Sequence, residues 1–423
     1  MVSGKGELRV AIVGGGLAGA ALANALANAN HIDMHVYESD PEFSERGAAV
    51  ALSGNTRRAL DVIFPSANDL LRGARAVTMN SSKLMIGSGP NAGMDVFEMT
   101  RPGEDSGRVV HRGALLREML KPLPQSRLHS NKRVNAISQR NDNMLDIRFA
   151  DGTTEKFDAA IGADGIFSAV REYVLQESEG NHSPSPAGFW DCRNLVTMDK
   201  AKQVLGAAWF EKPKQHGWVG DGGFIMHDVL DDGETVQCYM SGIEENTTGS
   251  RRRDLTKSFL EQKFGSWLSG PVAEDMIKLM LDQPRPCYWS EWEQKSTPTY
   301  IRGNVCIMGD AAHATTPWQA AGVGQAMEDA MVLGNLLARS HTSEEIFAAF
   351  QAYDFVRRPR GQAVIDSSRE AGSLMCGRHP DVGLDPAKML EEMSTRWNFI
   401  MDIDTEAHLQ DAVKKFEELL GNA

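Results

Sequence analysis

Positive charge is the first shortage: across 423 residues, 44 Lys and Arg face 57 Asp and Glu, a formal balance of −13. Such a surface repels polyanions, and the basic clusters Arg251–Arg253 and Arg357–Arg360 are short, so nucleic acid is not an expected partner. Cysteine is also sparse. The five (Cys192, Cys238, Cys287, Cys306 and Cys376) are odd in number and form no C-x-x-C pair, which argues against a disulfide framework or a metal site and favours a reduced, cytoplasmic setting. Low-complexity tracts and solenoid-period repeats are absent as well. The stretch Val10 to Ile32 holds no charged side chain and superficially imitates a signal peptide or membrane span. Four glycines within six positions, and asparagines at 24, 28 and 30, make it too polar for lipid, and no membrane span is expected. The length suits about two or three domains.

The same stretch carries the strongest positive signal. Leu8–Val13 is a β-branched run, Gly14–Gly19 a glycine turn, Ala20–Ala29 a helical pattern, and Met34–Tyr37 a second strand ending in Glu38. Gly14-Gly15-Gly16-Leu17-Ala18-Gly19 fits G-x-G-x-x-G after a strand and before a helix. The first glycine permits the tight turn, the second lets a phosphate approach the backbone, and the third allows helix and strand to pack closely. Glu38, 19 residues after Gly19, ends the next strand, where a carboxylate accepts bonds from ribose hydroxyls and disfavours a 2′-phosphate. The expected dinucleotide is therefore FAD or NAD. Two later segments again set glycines beside an aspartate after an apolar run. One is Gly162-Ala163-Asp164-Gly165, and the other is Gly303–Asp310, followed by Pro317 and Gly322-Val323-Gly324-Gln325. No second G-x-G-x-x-G follows a strand, so no separate pyridine-nucleotide domain is expected. Residues 181–286 are rich in Trp, Gly and alternating patterns, which predicts an antiparallel sheet. Beyond Gly372 the chain reads as amphipathic helix. Met389–Lys415 has an apolar face that either covers the core or pairs two subunits, so a homodimer stays open.

Taken together, the three glycine-bearing segments resemble the fingerprints of the class A flavoprotein monooxygenases, the family of salicylate and para-hydroxybenzoate hydroxylases. The resemblance runs from Leu8 to about Arg358. It implies an α/β fold: a Rossmann-type FAD-binding domain from 1–73, 106–180 and 287–372, an antiparallel-sheet substrate domain from 74–105 and 181–286, and C-terminal helices over 373–423. It further implies that Gly14, Gly16, Ala18 and Gly19 hold the FAD pyrophosphate and Glu38 the adenosine ribose. Arg112 approaches the phosphate and ribityl region, and Asp310 bonds the ribityl chain. Arg46 to Ala49 runs past the isoalloxazine, and Gly322, Val323 and Gly324 place a helix N-terminus at its N1–C2=O edge. Asp164 is divided between cofactor contact and fold maintenance, and His313 reads as a packed, hydrogen-bonded residue.

The reaction this resemblance implies consumes NAD(P)H, which docks transiently, and O2. Reduced flavin forms a C4a-hydroperoxide whose distal oxygen attacks an electron-rich ring. The protein must exclude water and anchor the substrate, so apolar and aromatic residues with one or two polar anchors are expected. Candidates are Trp190, Trp209, Phe224, Met226, Met240, Pro317 and Trp318, with Arg193 steadying a substrate phenolate. The family often carries a Tyr-Pro pair where this chain reads Met226-His227-Asp228-Val229, and His227 is the candidate replacement as base or donor. Two small aromatic substrate classes stay open: a phenol or salicylate-like acid, and an indole or polyketide ring of secondary metabolism. A flavin dehydrogenase or oxidase on a related fold is the alternative of another class. Because FAD, NAD(P)H and such a substrate are all anions, the net charge is expected to conceal a positive groove.

Overall fold

The computed structural model describes residues 7–44, 49–101, 106–176, 182–212, 214–245, 247 and 250–421. Its first layer is a six-stranded sheet in the order Ile301–Arg302, Val305–Ile307, Ala159–Gly162, Leu8–Val13, Ile32–Tyr37, Leu128–His129. All neighbours are parallel except the terminal hairpin Ile301–Arg302/Val305–Ile307. Strands buried on both faces need continuous apolar text, and Val10, Ile12, Ala160, Ile161, Val305 and Ile307 are fully buried. Helix Leu17–Leu26 has too little amphipathicity for a surface helix because it is enclosed; it packs against helix Gly322–Leu337 so closely that a Cβ on Gly334 would lie 2.4 Å from the Ala25 side chain.

The second large layer is an eight-stranded sheet ordered Arg252–Asp254, Cys287–Glu293, Ser185–Thr197, Thr235–Ile243, Gly223–Leu230, Lys214–Gly220, Ser81–Ile86, Asp95–Thr100. It is antiparallel apart from the Lys214–Gly220/Ser81–Ile86 pair. Two boundaries therefore move from those expected. Strand Cys287–Glu293 completes this sheet instead of starting the last cofactor-binding stretch, and Val77–Met79 pairs with Gly107–His111 in a three-stranded sheet with Ala49–Leu52. One face of the large sheet packs on helices Lys257–Phe264 and Ala273–Leu281 around Trp190, Trp218, Met240 and Phe264. The other lines a cavity and packs on Trp318 and on helices Ser343–Met375 and Pro386–Arg396. Beyond the long helix Ser343–Met375, helices Pro386–Arg396, Asn398–Met401 and Thr405–Gly421 lean back on the molecule, burying Met389, Met393, Trp397 and Phe416. No helix among the described residues is long and apolar enough to cross a membrane.

Candidate active site

Between the two layers lies a cavity of about 1040 Å³. At one end it is made of backbone. Gly14 sits at φ +109°, and a Cβ there would lie 2.3 Å from the Ala163 carbonyl oxygen, so only glycine fits. Helix Leu17–Leu26 starts at Gly16 and helix Gly322–Leu337 at Ala321; neither has a side-chain cap or an acidic residue in its first turn. Two helix starts of this kind, each a partial positive pole, suit a pyrophosphate and an electron-rich ring edge. Glu38 closes this end: its Oε2 accepts from Gly15 N at 2.8 Å, and its Oε1 from Asp40 N at 2.8 Å and Ser39 Oγ at 3.0 Å. Six basic side chains (Arg101, Arg112, Lys132, Arg133, Arg193 and Arg251) and five acidic ones (Glu38, Asp40, Asp164, Asp228 and Asp310) line the cavity. The groove is nearly balanced and not strongly positive, and in a chain of charge −13 that balance is a local enrichment of cations.

Gly14, Gly16, Ala18, Glu38, Ala49, Arg112, Asp164, Asp310, Gly322 and Val323 all line the cavity. Gly19 and Gly324 stand behind its wall as packing glycines, where a Cβ would lie 2.0 Å from Gly14 O and 2.7 Å from Thr56 Oγ1 respectively. Arg46 lies outside the described residues. Asp164 spends both carboxylate oxygens on its own loop, accepting from Ser168 Oγ, Ala169 N and Val170 N at the start of helix Ala169–Leu175. His313 is buried against Asp329, Nε2 to Oδ2 at 2.6 Å, as a scaffold residue.

The opposite end is made of side chains on one face of the large sheet. Pleating sends alternate residues to opposite faces. Phe224 and Met226 of strand Gly223–Leu230, Arg193 of Ser185–Thr197 and Tyr239 of Thr235–Ile243 face the cavity; Pro317 and Trp318 close it from above, the Trp318 ring 5.8 Å from Phe224. Four expected substrate-side residues do not reach it. Trp190 and Met240 belong to the core on the far face, Trp209 packs edge-on against Trp218 there, and His227 lies among Phe210, His216 and Trp218. Neither ring nitrogen of His227 has a partner among the described residues, and burial, with His216 second, pushes its pKa down to about 3. A neutral histidine on the wrong side of the sheet is no substrate base.

The pleat groups Arg193, a residue already expected here, with others that composition alone does not single out. Arg193 pairs with Asp191, Nε to Oδ1 at 3.1 Å, and its guanidinium lies 5.4 Å from the Tyr239 ring centre. Asp191 first, against the cost of burial, holds the Arg193 pKa above its ordinary value. Beneath them Glu291 is fully enclosed, accepting long bonds from Tyr239 Oη at 3.4 Å and Ser241 Oγ at 3.3 Å. Burial, then the Asp191 carboxylate, pushes its pKa well up. Arg251, 5.4 Å from the Phe167 ring, is pushed down by burial.

A glycine cradle with two bare helix starts, opening onto the polar-and-apolar face of an antiparallel sheet, defines an FAD-dependent hydroxylase architecture. Known proteins agree with it. Residues 7–368 match the family described as FAD binding domain, and the chain belongs to that family, as a class A FAD-dependent aromatic monooxygenase. The chain is similar to the 6-methylsalicylate 1-monooxygenase of Aspergillus terreus, at 34% identity over 98% of this chain and 93% of that protein. A salicylate hydroxylase of Pseudomonas putida is 29% identical over 96% of this chain and 94% of that one. Among solved structures, a salicylate hydroxylase substrate complex superposes with a TM-score of 0.83 and 26% identity, covering 97% of this chain and 99% of that chain. FAD is the cofactor, and the residues at the glycine end fit it.

Proposed function

We propose that this enzyme is a single-component monooxygenase that uses NAD(P)H and O2 to hydroxylate a phenol or salicylate-like ring. The observation that carries the reading is Arg193: a guanidinium fixed by Asp191 beside the apolar side chains Phe224, Met226 and Trp318 of the cavity wall. A half-buried cation there favours the phenolate or carboxylate form of a substrate, and a phenolate ring is the more electron-rich. The names of the two relatives, both of which act on salicylates, support this class.

When bound, FAD supplies the electron relay from NAD(P)H to O2 that such a hydroxylation requires. Its pyrophosphate is assigned to the amides at Gly14 to Ala18 with Arg112, its adenosine ribose to Glu38, its ribityl chain to Asp310, and its ring edge to the helix start at Gly322 and Val323. Trp318, Phe224 and Met226 exclude water around the reacting ring, and Pro317 borders the same space. Asp164 acts through the loop it caps.

The decisive experiment incubates the holoenzyme with NAD(P)H, labelled O2 and a panel of salicylates, phenols and indoles. One labelled oxygen atom in a hydroxylated salicylate or phenol is the expected result. Hydrogen peroxide as the sole oxygen product with every ring would overturn the reading in favour of an oxidase, and labelled product from indoles alone would replace the substrate class.

A further inference from the structure

The cavity face of the large sheet is organised in rows that run across the strands. In the middle row Leu84, Gly217, Met226, Tyr239 and Arg193 follow one another in register, apolar until the cation at the end. The neighbouring row is polar: Ser82, Gln215, Asp228 and Gln237. Its members are joined in a single hydrogen-bond chain. Ser82 Oγ donates to Gln215 Oε1 at 2.7 Å, and Gln215 Nε2 to Asp228 Oδ1 at 2.6 Å. From the other side Ala49 N donates to Gln237 Oε1 at 3.1 Å, and Gln237 Nε2 to Asp228 Oδ2 at 3.3 Å.

The direction of these bonds matters. Both amide oxygens are occupied by outer donors, so both amide nitrogens must point inward, and Asp228 is the acceptor on which the chain converges. A carboxylate has about four acceptor positions and the two amides use two. Asp228 is nonetheless 5% exposed and forms no ion pair among the described residues. Burial pushes its pKa up to about 6, with the two amides pulling back and no charged group among the described residues contributing. The titratable neighbours on adjacent strands, His216, Lys83 and Lys214, cluster together on the far face. A cavity-facing acid with spare acceptor positions and no cation among the described residues is a costly arrangement unless a ligand brings a donor.

We propose that Asp228 is a specificity-determining residue whose carboxylate accepts the hydrogen bond of a ring hydroxyl, on the side of the substrate away from the anionic group held by Arg193. The preferred substrate class is then a ring carrying an anionic oxygen group and, across the ring, a free hydroxyl. The inference rests on the aromatic-monooxygenase reading and narrows it. The two anchors stand two strands and two residues apart, roughly 12 Å between Cα atoms from sheet spacings, which leaves one substituted ring between their side chains.

The test is binding to the holoenzyme, followed by the flavin absorption change and independent of turnover. The probes are salicylate, 2,4- and 2,5-dihydroxybenzoate, and the ether of each dihydroxybenzoate methylated at the hydroxyl away from the carboxylate. At pH 7.5 at least one dihydroxybenzoate should bind about tenfold or more tightly than its ether, about 1.4 kcal/mol. Asp228→Asn should reduce that preference to threefold or less while salicylate affinity moves less than threefold, and Asp228→Glu should restore part of it. Between pH 7.5 and pH 5 the wild-type preference should fall as the carboxylate protonates, and in Asp228→Asn it should stay flat. The proposal is overturned if no isomer is preferred to its ether, if Asp228→Asn keeps the preference, or if that variant loses salicylate and FAD together with it. Labelled-oxygen failure with this binding pattern intact would remove the oxygenase reading alone.

Discussion

Two groups of buried acids occupy the two halves of the molecule, and they are treated in opposite ways. In the cofactor half Glu328 and Asp329 have no exposed surface, yet both are held ionised. Burial works against Glu328, but Arg357 and Arg360 outweigh it and bring its pKa to about 2; Asp329 is likewise held down by His313 and Arg357. Glu328 accepts from Asn55, Gln325 and both arginines, and Asp329 from Gly309 N, His313 and Arg357. In the substrate half Glu291 and Asp228 are equally enclosed and are pushed up, because Glu291 shares a single guanidinium with Asp191 and Asp228 has none. Compensated charge locks helices Gly322–Leu337 and Ser343–Met375 together. Of the two under-compensated acids, Asp228 faces the cavity, where on our proposal a ligand brings the missing donor, and Glu291 lies beneath the wall.

The largest expected effect tests the first half of this contrast. Glu328→Gln keeps the shape but strands Arg357 and Arg360 with less counter-charge, and breaking a buried pair from one side costs about 3–5 kcal/mol. Urea denaturation at pH 7 should register that loss, with FAD released early in the transition. A loss under about 1 kcal/mol would mean the network is not the lock between the two helices.

Next comes Arg193. Arg193→Ala removes charge-assisted bonds worth about 1.5–3 kcal/mol, so kcat/KM for a salicylate-like substrate should fall roughly 10- to 150-fold. Product formed per NAD(P)H consumed should fall as well, while FAD content is unchanged. Unaltered turnover and coupling would take Arg193 out of the substrate site.

The two halves also differ in how far the sequence makes them legible. The cofactor end is built from backbone, and backbone geometry is written contiguously: Gly14, Gly16 and Glu38 sit in one stretch, and Gly14 at φ +109° is the turn that stretch demands. The substrate end is built from one face of a sheet. A list of suitable residues in 181–286 says nothing about which face each occupies, and so composition assigns Trp190, Met240 and His227 to a cavity they turn away from. One signal is present all the same. Trp190 and Arg193 are three apart, and Met226 and His227 adjacent, so on regular strands neither pair shares a face. Fixing the phase on Arg193 and Phe224 exchanges His227 for Asp228. Long-range partners such as Ala49 with Gln237, 188 residues apart, leave no local trace.

A smaller effect tests the second half of the contrast. Glu291→Gln replaces a carboxyl whose pKa burial already pushes well up, and Tyr239 and Ser241 can still donate to the amide oxygen. Stability should change by less than about 1 kcal/mol, well below the cost at Glu328. An equal cost at the two sites would erase the distinction between locked and under-compensated acids.

The smallest effect concerns the far face of the sheet. His227→Met removes two buried nitrogens without partners, and relieving an unsatisfied polar group should add about 1 kcal/mol at pH 7 with kcat unchanged. The gain should grow in acid. The unfolded chain protonates this histidine below its ordinary 6.5, whereas the native protein resists until about 3, so protons favour the unfolded state throughout that window. Comparing urea midpoints of the two proteins at pH 7.5 and pH 5 reads the difference directly. A margin that stays constant with pH would show that His227 takes up a proton in the native core, and a fall in kcat would return it to the active site.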